Sequence, residues 1–242
     1  MMFQVFGAEI MKYKRTFIPW LIVVGGFFPV FVALLFLLTS DIAMSWEILG
    51  STSLNFMNML ALLLVAVFTG HAFTSEYRDG RINQTFIYPV PRFMLYIVKF
   101  LIVCLFVLGM FLAFMIFFAA AGCVFAGELP DSHFAGDYML LLLLTAAADI
   151  AIVPVTAAIS VAAKNAGAYI LAGVAYFITY MSFAESDAGR YIIPCVPDRL
   201  LKDFSATGQL ISADTGGMLL TGAAVFLLAF CLSAACYTRW EF

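Results

Sequence analysis

The chain has 242 residues, 64% of them hydrophobic and 11% charged, with a formal net charge of −3. Soluble globular chains run at about 45–50% apolar and about 25% charged residues, so an ordinary water-soluble domain is excluded. The surplus apolar surface must face lipid, and no nucleic-acid partner is expected.

A bilayer crossing takes about 20 apolar residues. Apolar runs at about 17–38, 54–73, 94–124, 138–163, 167–183 and 218–237 therefore predict six transmembrane helices and an all-α integral membrane fold. The whole of 1–242 is expected to form one permease-like domain. Before the first run, Phe3, Phe6, Ile10, Tyr13 and Phe17 recur at intervals of three and four. That period gives residues 1–15 an apolar helical stripe, and the basic residues at its end favour a helix lying in the membrane interface. The N-terminus lacks the pattern of a cleavable signal peptide. Gly25, Gly26 and Pro29 predict a kink in the first span, since proline removes a backbone hydrogen bond.

Residues 74–92, TSEYRDGRINQTFIYPVPR, join the second and third spans. Glu76, Arg78, Asp79 and Arg81 cost too much to sit in hydrocarbon, so this segment lies in water or against a protein. Gly80 can end one short helix, Ile82, Phe86 and Ile87 offer an apolar face to another, and Pro89 and Pro91 force an extended break. Between the fifth and sixth spans lies a long segment, 184–217. Its stretch Tyr191–Pro197 is too short and proline-rich to cross, and Asp198–Phe204 predicts a short amphipathic helix.

With both termini cytoplasmic, nine basic residues fall inside (Lys12, Lys14, Arg15, Arg78, Arg81, Arg92, Lys99, Lys164, Arg239) and three outside (Arg190, Arg199, Lys202). That is the positive-inside bias. Ten acids then lie outside, four lie inside, and Asp149 alone sits within a span. The acidic exterior either solvates the loops or forms a mouth that attracts cations. Asp198, Asp203 and Asp214 are the expected contributors.

At 74–92 the chain resembles the ABC-2 type family of transporter permeases. The resemblance rests on Glu76, Gly80 and Ile82, then Pro89 and Arg92, with the interfacial first helix, six spans and long segment before the last span. Arg81 departs from it, where the family often has threonine. The wording TGHAFTSEYRDGRINQTFIYPVPR is most similar to small subunits that protect bacteria against lantibiotics and bacitracin-like peptides. The resemblance implies two permeases, identical or sister chains, paired with two ABC ATPases in the cell membrane. Residues 75–84 would be the coupling helix, with Glu76, Tyr77, Arg78, Asp79, Gly80, Arg81 and Ile82 meeting the ATPase. No GxxxxGK[ST] occurs in the chain, so ATP is expected on the partner rather than here. Other small permeases of this kind are implicated in drug, sodium, lipid or polysaccharide efflux, and a non-transporting sensory subunit is a further alternative.

Asp149 lies about 16 Å from the outer end of the fourth span, near the midplane. Thr145, Thr156 and Ser160 fall within about 40° of it on a helical projection, forming a polar stripe interrupted beside Pro154. An intramembrane acid defaults to a functional reading. A structural acid, protonated or bonded to Tyr176 or Thr179, is the alternative. Two distant histidines, His71 and His133, and no paired intramembrane acids argue against a membrane protease. No metal-ligand spacing is present, and the cysteines read as small hydrophobes, with Cys195 alone in an exterior loop. No catalytic or metal-binding residue is expected.

Overall fold

The computed structural model describes residues 2–14, 16–40, 44–78, 91–127, 130–207 and 213–239. All regular structure among them is helical: α1 (Met2–Tyr13), α2 (Ile18–Thr39), α3 (Trp46–Arg78), α4 (Arg92–Phe125), α5 (Ser132–Ala163) and α6 (Ala166–Phe183) are followed by two 3-10 turns, Asp187–Tyr191 and Ile193–Cys195. Then come α7 (Val196–Thr207) and α8 (Ala213–Arg239). Among the described residues, α2 to α6 and α8 supply six helices long and apolar enough to cross a membrane.

The helix ends follow from local chemistry. Pro19 sits in the first turn of α2, where its missing N–H costs nothing. Lys164 takes a left-handed conformation (φ 51°) and stops α5. Asn165 then caps α6, its side-chain oxygen accepting from the Gly167 N–H at 2.9 Å. Two residues thus turn the chain back on itself. Neither internal proline ends its helix: α2 is continuous through Pro29 and α5 through Pro154.

α3 and α5 form the centre. Within their apolar windows 67% and 56% of residues are buried, against 22% for α6 and 11% for α8. Glycine sets the closest approach. A Cβ on Gly26 would lie 2.6 Å from the backbone nitrogen of Phe114, so α2 rests directly on the α4 backbone. Gly173 does the same for α6, where a Cβ would sit 3.0 Å from Ala66 Cβ of α3. Phe118 of α4 and Tyr138 of α5 have ring centroids 4.8 Å apart, and Trp46 packs edge-on to Phe118.

α3 and α5 start eight and six residues earlier than their apolar runs suggest; Glu47, Ile48 and Ser51 of α3 and the half-buried Phe134 of α5 line a cleft beside α7 there. The first element also differs from its expected stripe. Phe17 lies beyond α1 and is exposed, whereas Glu9, no member of that stripe, is buried and paired with Lys12 at 2.5 Å. Tyr13 keeps its place in the core, edge-on to Phe106 with centroids 5.1 Å apart. Lys99, counted with the basic residues of the cytoplasmic side, lies inside α4 with 1% exposure and its ammonium 5.9 Å over the Tyr237 ring. A cation–π contact lets a desolvated ammonium persist there.

Candidate functional site

Tyr138, Thr145, Asp149, Thr156 and Ser160 are spaced seven, four, seven and four residues along α5, so they share one face. All are buried. The Tyr138 hydroxyl donates to the Gly50 carbonyl of α3 at 3.0 Å, which aims this face at α3. The threonines spend their hydroxyls close by: Thr145 on the Leu142 carbonyl at 2.9 Å, Thr156 on Ile152 at 3.2 Å. Thr156 also meets the Tyr176 hydroxyl of α6 at 3.1 Å.

Asp149 has no such partner. It is 0% exposed, and neither carboxylate oxygen makes a hydrogen bond among the described residues. Tyr176 is engaged with Thr156, and Thr179 bonds the Ala175 carbonyl of its own helix, so neither reaches Asp149. Ser160 Oγ is likewise unbonded. Pro154 has no N–H for the Ile150 carbonyl, which leaves a further acceptor one residue from the acid. Buried polar groups are nearly always satisfied in folded proteins, so this stripe is where the bundle departs from that rule.

Asn58 of α3 was not singled out by sequence reasoning. It is buried, and both of its amide atoms lack a partner. From the Gly50–Tyr138 contact, eight residues along α3 and eleven along α5 advance about 12 and 16 Å in the same direction. Asn58 and Asp149 therefore sit within about one helical turn of each other in depth. An amide inside the apolar run LNFMNMLALLL was the available signal.

The end of the bundle that carries α7 holds a second polar cluster. Asp198 is buried, not a free surface acid as expected. Its Oδ1 lies 3.2 Å from the Tyr180 hydroxyl, and Lys202 Nζ lies 2.8 Å from Oδ2. Arg199 donates to the Ser186 carbonyl, tying α7 to the chain leaving α6. Cys195, expected in a loop, is buried with its thiol 3.8 Å from the Thr179 carbonyl, and burial pushes that thiol up to about 11. At the opposite end α1 lies against α4, and His71 is buried beside Tyr13 and Phe17 at 6.0 and 5.5 Å between ring centroids.

The backbone of α3 stays helical to Arg78, about five residues past the end of the apolar run 54–73 read from the sequence. The side chains of Glu76, Tyr77 and Arg78, and all of Asp79, Gly80, Arg81 and Ile82, lie outside the described residues. So do the side chains of Asp214 and Arg239. No group of three or more His, Cys, Asp or Glu side chains able to hold a metal occurs among the described residues.

Six long apolar helices, four of them around the central α3 and α5, fit a multi-pass membrane protein. The chain belongs to the ABC-2 family of transporter proteins, whose model, described as ABC-2 family transporter protein, matches residues 5–182. It is thus a membrane permease subunit of an ABC transporter, and the family implies association with an ABC ATPase subunit. No curated protein matches the chain. The match runs from α1 into the last turn of α6 and stops before the 3-10 turns and α7.

Proposed function

We propose that this chain is the membrane subunit of an ATP-driven exporter that moves amphiphilic or peptide antibiotics, lantibiotic- or bacitracin-like, out of the cell membrane. The observation that carries the mechanism is the continuation of α3 as helix to Arg78, beyond its apolar run. A rigid helix that leaves the bilayer at the core of the bundle can transmit a push. Residues 75–84 form the coupling lever, with Glu76, Arg78 and Arg81 as polar contacts, Tyr77 and Ile82 as anchors, and Asp79 and Gly80 at the turn.

In this reading ATP binds the partner ATPases, two copies of which act on two permeases. Their closure moves the lever and, through α3, shifts the α3–α5 contact where Asn58 and Asp149 lie. Unsatisfied Asp149 and Ser160 cost stability in the resting bundle, so a second arrangement of the stripe with Thr145 and Thr156 that hydrates or pairs these two is favoured by comparison. α1 lies in the cytoplasmic interface and the α7 end faces outward, as the basic residues require. The peptide cargo is supported by the wording of residues 69–92 and by the acidic excess at the α7 end.

The test is transport. Everted membrane vesicles carrying this chain and an ABC ATPase that copurifies with it should accumulate a fluorescent lantibiotic only when ATP is supplied. ATP-dependent movement of a lipid or drug but never of the peptide would remove the cargo assignment, and no ATP-dependent movement of any cargo would remove the exporter.

A further inference from the structure

A cleft of about 350 Å³ opens at the α7 end, lined by Glu47, Ile48 and Ser51 of α3, Phe134 and Tyr138 of α5, and Leu201, Phe204 and Ser205 of α7. Its floor is rigid. The Phe134 and Tyr138 rings stack with centroids 5.5 Å apart, and the Tyr138 hydroxyl is fixed on Gly50, whose missing side chain admits the ring. The wall hydroxyls are spent within their own helices: Ser51 bonds the Ile48 carbonyl at 3.2 Å and Ser205 the Lys202 carbonyl at 2.9 Å. Glu47 is the single charged side chain of the lining, is exposed, and makes no hydrogen bond or ion pair among the described residues. The nearest cation along α7, Lys202, is held by Asp198.

We propose that this cleft binds the cationic group of an amphiphile, an ammonium or guanidinium, with Glu47 taking the charge and Phe134, Tyr138 and Phe204 taking the apolar part. The chemistry selects that class. A carboxylate beside aromatic rings attracts a cation twice, by direct charge and by ring faces within about 6 Å. The apolar lining rewards burial of an attached alkyl or aromatic body and gives nothing to a bare metal ion. The volume sits near the lower end of the roughly 300–1,000 Å³ typical of ligand sites, so it accommodates one side chain or head group rather than a whole peptide. The buried Asp198 is not the carboxylate that gathers cations; Glu47 is. The proposal refines the cargo class of the exporter reading, and it is tested by binding alone, so that its failure leaves the exporter reading intact.

Full-length protein in nanodiscs of zwitterionic lipid is irradiated with a benzophenone-bearing alkyltrimethylammonium probe, and in parallel with the same probe carrying a neutral hydroxyl head. Labelled peptides are mapped by mass spectrometry. The cationic probe should label segments 134–138 and 201–205 at least fivefold more than the neutral one. Glu47→Gln should lower that labelling at least threefold, Phe204→Ala should lower labelling by both probes, and Asp137→Asn, an acid outside the lining, should leave it unchanged. Equal labelling by the two probes, labelling confined to other segments, or a Glu47→Gln protein that labels like the parent would overturn the assignment. A normal melting temperature of Glu47→Gln guards against reading a folding defect as lost binding, and Phe204→Ala provides the second route if that variant melts early.

Discussion

The hydroxyl of Tyr180 on α6 lies 3.2 Å from the buried Asp198 carboxylate on α7 and 3.1 Å from Asn55 Oδ1 on α3. One proton serves two acceptors, so three elements meet on a single O–H. Tyr180→Phe removes the donor while keeping the ring. The expected cost is about 1–3 kcal/mol, the range for leaving a buried acceptor short of a partner. It should appear as a lower melting temperature and faster proteolysis within 184–207. An unchanged cleavage pattern would show that α7 is held without the Tyr180 hydroxyl, by the Arg199–Ser186 bond and its packing on α5.

Thiol labelling reads the placement of the two ends. In a background where Cys195 is the sole native cysteine, Ser132→Cys and Ala188→Cys should react with an impermeant maleimide on intact cells, whereas Asn83→Cys should not. Cys195 itself should stay silent. Its thiol is pushed up to about 11, so at pH 8 only about 0.1% is thiolate. Because the raised value depresses the reactive form, labelling of Cys195 should grow as pH rises toward 11. Reaction at Asn83→Cys from outside would invert the topology.

Packing of α2 on α4 makes a sharper demand than hydropathy does. A side chain on Gly26 would meet the backbone of Ala113 and Phe114, which cannot step aside as a flexible side chain could. Gly26→Val should destabilise the protein by about 1–3 kcal/mol, the usual range for overpacking. Gly216→Val, where a Cβ meets nothing within 4 Å, should be close to neutral. Similar melting temperatures for the two variants would show that α2 does not rest on α4 in this way.

Asp149 is expected to cost stability and serve function. Replacement by Leu removes an unpartnered buried acid, so the melting temperature should hold or rise, while ATP-driven export falls at least tenfold. Asn58→Leu should behave alike if the two act together at the α3–α5 contact. Full export in both variants would make the stripe structural.

Hydropathy alone places six crossings, because a helix in lipid has to be apolar for about 20 residues. It underestimates α3 and α5, whose first turns mix polar and apolar residues: those of α3 are partly buried, and 132–137 of α5 are exposed apart from the half-buried Phe134. Period-of-3.6 reasoning finds the α5 stripe from Thr145 to Ser160, since these residues share a helix. Asn58 escapes it, because pairing α3 with α5 is a tertiary fact that one helix does not encode. The same limit explains Lys99 and Asp198. Lys99 reads as a cytoplasmic-side charge near the start of the third run and Asp198 as a loop charge, yet Tyr237 and Tyr180 from distant segments cover them. The expected coupling segment, 74–92, is legible only as charges, glycine and prolines, and its residues 79–90 lie outside the described ones.

Seating of the 75–84 segment on an ATPase is the central claim, and site-specific photo-crosslinking tests it most directly. A photoreactive residue is placed at Tyr77, at Ile82 and, as a control, at Ser132, in cells that also express an ABC ATPase that copurifies with this chain. The account expects crosslinks to the ATPase from positions 77 and 82, none from 132, and weakening of both when Glu76→Ala and Arg78→Glu are combined. Crosslinks from 132, or none from 77 and 82 when both proteins are present in the membrane, would contradict it.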